Sequence, residues 1–446
     1  MTTRTFQELG IIEPITRVLA NNNYTHPTPI QLNAIPALLE GKDMLGIAQT
    51  GTGKTAAFSL PLLQKLFQTQ KPYVPRSARA LILAPTRELA VQITDNCNDY
   101  GQHLSMRHCV IFGGVSQGPQ VNYMSKGVDL LIATPGRLLD LINQGHIDLK
   151  AVSHLVLDEA DRMLDMGFIK DIKKIIATIP KERQTMLFSA TMPPSISSLA
   201  HSILKDPVKV EVTPKVVTVE RIDQSVHHIK RSEKNALLVT LLANPAMDKV
   251  IVFSKTKHGA NRIANQLENA GIVSAPIHGN KSQGARQKAL EAFKTGKVRV
   301  LVATDIVARG IDVDNVSHVI NFDLPDEPES YVHRIGRTAR AGTGGVAIAF
   351  CDETEKKLLR DIERTIRREL KVVPTPTLVK LQPLTTNHHP ERQLASGGNH
   401  RNGPRGDNAR KAEHGKDHHH REHSRSANPK ASHNRRGGKP GGRRPK

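Results

Sequence analysis

The chain has 446 residues, a formal net charge of +21 and 24% charged residues, and its length suits roughly two or three domains. The positive balance favours a polyanionic partner, with nucleic acid ahead of an acidic membrane surface. Three cysteines without paired spacing exclude a disulfide framework and a cysteine zinc site, and no apolar run approaches the roughly 18 residues of a membrane span. We therefore expect a protein of the reducing cytoplasm, with no membrane partner.

Apolar runs alternate with stretches of helical periodicity over most of the chain. The predicted strands are Met44–Ala48, Ala80–Ala84, Cys109–Phe112, Leu130–Ala133, Leu155–Leu157, Met186–Phe188, Val250–Phe253, Val298–Ala303, His318–Asn321 and Val346–Phe350. The predicted helices include Arg87–Tyr100, Ile169–Ile179, Gly259–Ala270 and Ala285–Lys294. Buried parallel strands form continuous apolar runs and need helical crossovers. The pattern predicts an α/β fold of two tandem, doubly wound parallel sheets.

Helix breakers and a change in composition mark the expected boundaries. We predict an N-terminal extension over 1–32, a first domain over 33–208, a linker over 209–215, a second domain over 216–385 and a basic tail over 386–446. Residues 391–446 contain 15 Lys and Arg against 5 Asp and Glu, and Leu394 is their only Leu, Ile or Val. Such a segment cannot offset the entropy of ordering its backbone, so the tail is predicted to be disordered.

A Gly-rich loop between a predicted strand and a helical stretch is the first candidate site. It comprises Ala48, Gln49, Thr50, Gly51, Thr52, Gly53, Lys54 and Thr55. Its glycines let backbone N–H groups surround phosphate oxygens, Lys54 offers a charge to the β- and γ-phosphates, and Thr55 offers a hydroxyl to Mg²⁺. A plain Gly/Thr-rich turn is the alternative, which the order of strand, loop and helix disfavours. The loop predicts an ATP site.

An acidic segment, Asp158 to Asp161, directly follows the apolar run Leu155–Leu157. A carboxylate at the carboxyl end of a buried strand can hold Mg²⁺, which assigns Asp158 to the metal. The adjacent Glu159 is suited to orient the attacking water. Acidic residues that begin a helix often only compensate its dipole. The Gly-rich loop on the same predicted sheet makes the catalytic interpretation the stronger one.

Two arginines in the second half, Arg337 and Arg340, have the i,i+3 spacing of one helix face. Arginine is well suited to stabilise charge on a transferring γ-phosphoryl group. Such a basic pair is more often a solvated face or a contact to a phosphate backbone, and the spacing alone leaves these alternatives open.

Together these segments resemble the DEAD-box RNA helicases of superfamily 2, over roughly Phe6 to Leu370. The motifs occur in order as Asn23–Gln31, the Gly-rich loop, Pro85–Ala90, Gly113-Gly114, Thr134–Arg137, Asp158–Asp161, Ser189–Thr191, Ile251–Ser254, Gln283 with Arg286, Thr304–Asp312 and His333–Arg340. Single motifs are modest signals, whereas the ordered set is specific. Within the family, the chain looks most similar to the bacterial RhlE-type branch. Ala339 stands where the family more usually has Gly. This difference leaves Arg337 and Arg340 in place.

The resemblance implies a role for individual residues. Gln31 would bind the adenine edge and Phe6 would stack on the base, while Asp312, Arg337 and Arg340 would contact the nucleotide from the second domain. Asp161, Ser189 and Thr191 would couple the phosphate site to the RNA site, and His333 would join the domains. The implied RNA contacts are Pro85, Thr86, Arg87, Gly114, Thr134, Pro135, Gly136, Arg137, His278, Gly279, Gln283, Arg286 and Thr304.

The implied function is RNA-stimulated ATP hydrolysis, with ATP and Mg²⁺, coupled to local, non-processive unwinding of short RNA duplexes and remodelling of RNA–protein complexes. Ribosome assembly and RNA decay are both compatible settings, with ribosomal precursors or RNA-decay proteins as partners. Two other classes stay open. A DNA translocase would be stimulated by DNA, and an ATP-gated RNA clamp would not turn over, although Lys54, Glu159 and Arg340 argue against an inactive enzyme.

Overall fold

A computed structural model describes residues 4–49, 51–212, 222–305, 313, 316–339 and 344–381. The chain separates into one compact unit, residues 1–385, and a second unit, residues 386–446. The second unit has the bounds of the predicted tail and lies outside the described residues. Among the residues described, no helix is both long and apolar enough to cross a membrane.

The first half forms a parallel sheet. Its strands are β1 (Met44–Ala48), β2 (Ala78–Leu83), β3 (His108–Ile111), β4 (Val128–Ala133), β5 (His154–Leu157), β6 (Gln184–Ser189) and β7 (Val208–Val212). Their order is β3-β4-β2-β5-β6-β1-β7, and every neighbouring pair is parallel. All carboxyl ends therefore lie along one edge, where loops can share a site.

Helices cover both faces of this sheet. They are α1 (Glu13–Asn21), α2 (Pro29–Leu39), α3 (Lys54–Gln68), α4 (Arg87–Tyr100), α5 (Gly118–Met124), α6 (Pro135–Asn143), α7 (Ala160–Asp165), α8 (Ile169–Ile176) and α9 (Pro194–Ile203). Alternate residues of β4 divide between two apolar clusters, with Leu130 and Ile132 on one face and Leu131 and Ala133 on the other. Because both faces are buried, the sequence of this strand is continuously apolar.

The second half repeats the same topology. Its strands are β8 (Ile222–His228), β9 (Val250–Phe253), β10 (Ser274–Ile277), β11 (Val300–Ala303), β12 (His318–Asn321), β13 (Gly345–Cys351) and β14 (Lys371–Val372), in the order β10-β11-β9-β12-β13-β8-β14. The described helices are α10 (Lys234–Leu242), α11 (Lys257–Asn269), α12 (Gln283–Lys294), α13 (Pro328–Ile335) and α14 (Lys356–Ile366). The predicted fold class, two tandem doubly wound α/β domains, is confirmed.

The structure differs from the predicted elements mainly at the sheet edges. The strands β7, β8, β10 and β14 were not predicted. Val208–Val212 pairs with β1, so the first sheet extends into the segment 209–215 that was predicted as a linker. Polar residues alternate with apolar ones along β7, whereas β8 contains Ile222 and Val226 among five polar residues, and each strand is buried at only some of its positions. This is why neither strand has the continuous apolar run used for the others.

Candidate ATP and RNA site

The Gly-rich loop joins β1 to α3 and depends on left-handed backbone at two glycines. Gly51 has φ 82° and Gly53 has φ 91°, and Gly53 is the N-cap of α3. Glycine adopts this conformation without a Cβ penalty. The first N–H groups of α3, like those of any helix, have no intrahelical partners and can therefore bind phosphate oxygens. Lys54 Nζ donates to the Ala48 carbonyl at 2.7 Å, and Thr52 Oγ1 donates to the Gln49 carbonyl at 2.8 Å. Thr50 lies outside the described residues.

Gln31 connects the N-terminal segment to this loop. Its Oε1 accepts from Thr28 N at 2.8 Å, which caps α2, and its Nε2 donates to the Gly53 carbonyl at 3.1 Å. A Cβ on Gly53 would lie 2.5 Å from that same Nε2, so only glycine permits the contact. Phe6 packs in the apolar cluster on this face of the sheet and is 3% exposed. The adenine contacts of Gln31 and Phe6 stay predictions.

Asp158 follows β5 at the same edge and is almost fully buried. Burial raises the pKa of its carboxyl to about 7, with the Lys54 ammonium opposing this rise and the Glu159 charge adding to it. The Glu159 N–H donates to Asp158 Oδ1 at 3.0 Å. A nearby cation would therefore stabilise the ionised form of the Asp158 carboxyl.

Glu159 has a left-handed backbone, φ 52°, at the start of α7. Its Oε2 lies 2.6 Å from Nη1 of Arg162, and both side chains are buried. Left-handed backbone is uncommon for a residue with a Cβ, and at functional sites it is held by the surrounding structure. The carboxylate of the predicted water-orienting residue is therefore held by a cation one helical turn away.

Asp161 contacts the segment that follows β6. Its Oδ2 accepts from Thr191 N at 2.8 Å and from Thr191 Oγ1 at 2.9 Å, and its N–H donates to Ser189 Oγ at 3.2 Å. Ser189 Oγ donates in turn to the Thr191 carbonyl at 2.8 Å. The three residues predicted to couple the two sites therefore lie in one hydrogen-bonded group, while their coupling role stays a prediction.

The predicted RNA residues of the first half lie in three loops after β2, β3 and β4, or at the start of the helix that follows the loop. Thr86 caps α4 by accepting from Leu89 N at 3.3 Å. The Arg87 guanidinium lies against Gly114, where a Cβ would collide with it. Arg137 Nη1 donates to the Val115 carbonyl at 3.2 Å. Thr134, Pro135 and Gly136 begin α6, so the loops meet around two guanidinium groups.

In the second half, two of the predicted RNA residues bind an acid of the first half. Arg286 Nη2 lies 2.6 Å from Glu88 Oε2, and Gln283 Nε2 donates to Glu88 Oε1 at 3.3 Å. Burial lowers the pKa of Arg286, and the Glu88 charge opposes this shift. The remaining predicted contacts follow β10 and β11 at the same edge, as His278, Gly279 and Thr304. His278 is buried beside Asn261, with 3.0 Å between Nε2 and Oδ1.

The segment predicted to carry the two nucleotide-contacting arginines is anchored by a third one. Arg334 binds both carboxylate oxygens of Asp305, at 2.6 and 2.7 Å, and donates to the Asp323 carbonyl at 2.6 Å. Arg337 Nε donates to the His333 carbonyl at 3.3 Å and is buried. Asp312 and Arg340 lie outside the described residues.

The sequence analysis missed three buried charged residues that organise this site: Glu88, Arg162 and Arg334. Each lies inside or next to a motif that was recognised. Their sequence signal was a charge on an otherwise inward-facing helix position, and charged residues are rarely fully buried unless paired.

Comparison with known proteins agrees with this geometry. Residues 28–199 match the family model described as DEAD/DEAH box helicase, and residues 233–342 match the helicase conserved C-terminal domain. The DEAD-box ATP-dependent RNA helicase CshA of Bacillus licheniformis is 43% identical over 376 residues, which cover 84% of this chain and 76% of that protein. CshA of Geobacillus kaustophilus is 44% identical over 375 residues, covering 84% and 79%.

Solved structures show the same arrangement. S. cerevisiae Dbp5 bound to RNA and ADP BeF3 matches with a TM-score of 0.73 and 32% identity, covering 83% of this chain and 96% of that one. Mss116p bound to ssRNA and AMP-PNP matches with a TM-score of 0.75 and 29% identity, covering 84% and 80%. Fold and site define a nucleotide-dependent enzyme built from two RecA-like domains. The chain belongs to the DEAD-box family of ATP-dependent RNA helicases.

Proposed function

We propose that the chain hydrolyses ATP when RNA is bound and uses closure of its two sheet domains to open short RNA duplexes locally, without processive movement. One observation carries the proposal. The Gly-rich loop, the acidic segment and the RNA-facing loops follow strands of one parallel sheet, and Asp161 links the acidic segment through Thr191 to the segment that follows β6. Ligands of doubly wound sheets bind outside the carboxyl ends of the strands.

In this proposal the chain's own groups divide the work on the phosphates. Lys54 and the N–H groups of the Gly-rich loop bind the β- and γ-phosphates, and Glu159 orients the attacking water. Arg337 and Arg340 stabilise charge on the transferring phosphoryl group once the domains close. The contact of Glu159 with Arg162 supports this assignment, because a carboxylate must be held in position to orient a water molecule.

The donor set fits Mg²⁺. Mg²⁺ commonly takes one or two protein carboxylates and completes its shell with waters and substrate phosphates. Among the described residues, no group of three or more His, Cys, Asp or Glu side chains could hold a metal on its own, whereas Asp158 and Thr55 offer oxygen ligands beside the loop. These two residues would hold the ion, and when bound it supplies neutralisation of phosphate charge.

RNA recognition in this proposal is independent of sequence. The candidate contacts are mainly backbone amides, hydroxyls and arginines, which suit phosphate and 2′-OH groups rather than base edges. Unstacking costs on the order of a few kcal/mol per step. One closure event can therefore open a short duplex, while a long one reseals.

Three finer assignments belong to the proposal. Ribosomal precursors or RNA-decay proteins are the proposed partners. The buried, free thiols of Cys97, Cys109 and Cys351 support a reducing cytoplasm. Placement in the RhlE-type branch stays a prediction. The relatives named above are CshA proteins, which form a different branch.

Glu159→Gln tests the proposal directly. The variant should retain ATP and RNA binding and remain trapped in the RNA-bound form, with RNA-stimulated turnover reduced at least a hundredfold, the lower range for a general base. Glu182→Gln, which changes an exposed acid of the same domain, is the matched control and should behave as the unchanged chain does. Hydrolysis by Glu159→Gln at the unchanged rate would remove Glu159 from the mechanism.

A further inference from the structure

The outer face of α14 carries an unusual charge distribution. Its inner face packs Leu359 and Ile362 into an apolar cluster with Tyr331 and Ile335 of α13. Between positions 356 and 368 the chain has six basic and two acidic residues. All six basic side chains are exposed: Lys356, Lys357, Arg360, Arg364, Arg367 and Arg368. A net charge of +4 therefore lies on one face of a short helix and its end.

Most of this charge has no local compensation. Lys356 pairs with Glu353 at 2.6 Å and Arg364 with Asp361 at 3.1 Å. Within the part of the chain that the structure describes, Lys357, Arg360, Arg367 and Arg368 form no ion pair. A merely solvated helix face tends to alternate charges of both signs. Here four unpaired cations follow one another at intervals of three, seven and one residues, over about 15 Å.

The four unpaired cations form a basic stripe, and the chemistry of this stripe is that of a phosphate-binding surface. Three of the four unpaired cations are arginines, whose planar guanidinium matches phosphate oxygens in two-point contacts. A basic amphipathic helix can also lie on an acidic membrane, but it does so by inserting its apolar face into the lipid. The apolar face of α14 is already buried in the protein core, which leaves only the charged face for a partner.

We propose that the outer face of α14 binds the phosphate backbone of RNA beyond the single-stranded segment held at the strand ends. The inference rests on the proposed RNA-dependent function and adds a second contact surface to it. α14 packs against α13, which carries His333 and Arg334. The stripe therefore attaches flanking RNA to the second domain and keeps the substrate bound between closure events.

The test compares two full-length variants with equal loss of charge. The first is Lys357→Gln/Arg360→Gln/Arg367→Gln/Arg368→Gln. The control is Lys170→Gln/Lys173→Gln/Lys174→Gln/Lys181→Gln, which removes four exposed lysines from in and beside α8 in the first domain. Both are assayed for binding to a hairpin RNA with a single-stranded extension over a range of salt concentrations, and for RNA-stimulated ATPase. Binding to vesicles containing phosphatidylserine is measured in parallel.

We expect the α14 variant to bind the hairpin at least tenfold more weakly in low salt, with a log–log salt slope about 3 less steep, given a change of about 0.7–0.9 per lost phosphate contact. The KM for RNA should rise by a similar factor, while kcat at saturating RNA stays unchanged. The control should match the unchanged chain, and Lys357→Gln/Arg360→Gln alone should give about half of the slope change.

Equal behaviour of the α14 variant and the control, or no change in either, overturns the inference. Loss of vesicle binding with RNA binding intact overturns it in favour of a membrane surface. The failure of the proposed function is distinct, because it appears in the unchanged chain as an ATPase that RNA does not stimulate.

Discussion

Arg286 in α12 and Glu88 in α4 form a buried ion pair between the two sheet domains, with 2.6 Å between Nη2 and Oε2. Their side chains are 6% and 5% exposed. Glu88 lies next to Arg87 of the first domain's RNA loop, and Gln283 donates to the same carboxylate. A single acid thus connects two predicted RNA ligands of one domain to the RNA loop of the other.

Breaking this pair should affect RNA-stimulated hydrolysis selectively. Removal of one partner leaves an uncompensated buried charge, a change that costs about 3–5 kcal/mol. We expect Glu88→Gln and Arg286→Gln each to lower RNA-stimulated ATPase at least tenfold and to leave the basal rate nearly unchanged. Steady-state ATPase with and without single-stranded RNA measures this. If the effects simply add in the double variant, the two residues do not act as a pair.

Thr191→Val should separate hydrolysis from unwinding. The substitution keeps the side-chain size but removes the hydroxyl that donates to Asp161 at 2.9 Å. Because Asp161 connects the acidic segment to the segment after β6, we expect duplex unwinding to fall about tenfold or more, with RNA-stimulated ATPase reduced less than threefold. Both rates are measured on one short duplex. Parallel loss of the two activities would contradict a coupling role.

Arg162→Gln should lower kcat of ATP hydrolysis. The variant loses the cation that holds the Glu159 carboxylate at 2.6 Å, so the carboxylate is less well positioned, at an expected cost of about tenfold in kcat with little change in the KM for ATP. Arg162→Lys should recover part of the rate, because it keeps the charge. Equal rates in all three proteins would show that Arg162 serves only packing.

The cysteines should be inert in the folded protein. Burial raises the pKa of the Cys97 thiol and of the Cys109 thiol to about 12, so their thiolate fraction near neutral pH falls by roughly a thousandfold. We expect alkylation by iodoacetamide to be very slow in native protein and complete in denaturant, as followed by mass spectrometry. Rapid alkylation of native Cys97 would contradict its burial.

The central strands of the fold could be predicted because apolar residues occupy their centres without interruption. Val250–Phe253 and His318–Asn321 have the bounds that were predicted. β8 could not be found in this way. Its residues Gln224, His227 and His228 interrupt the apolar pattern, and its pairing with β13 depends on contacts distant in sequence.

The candidate site shows the same limit. Motifs indicated which residues gather at the strand ends, and Asp161, Ser189 and Thr191 do lie together. The partners of these groups were hidden from the sequence. Nothing in the spacing of Glu88 and Arg286 reveals an ion pair across almost two hundred positions, because such a contact depends on how helices of the two sheet domains pack together.

The most direct test of the central claim is steady-state ATPase of the full chain with no nucleic acid, with single-stranded RNA and with DNA of the same sequence. The 2′-OH contacts proposed here require RNA, whereas the phosphate contacts are available to RNA and DNA alike. We expect strong stimulation by RNA and little by DNA. Equal stimulation by DNA would contradict RNA specificity and favour a DNA translocase, and a folded, ATP-binding chain that neither nucleic acid stimulates would contradict the account as a whole.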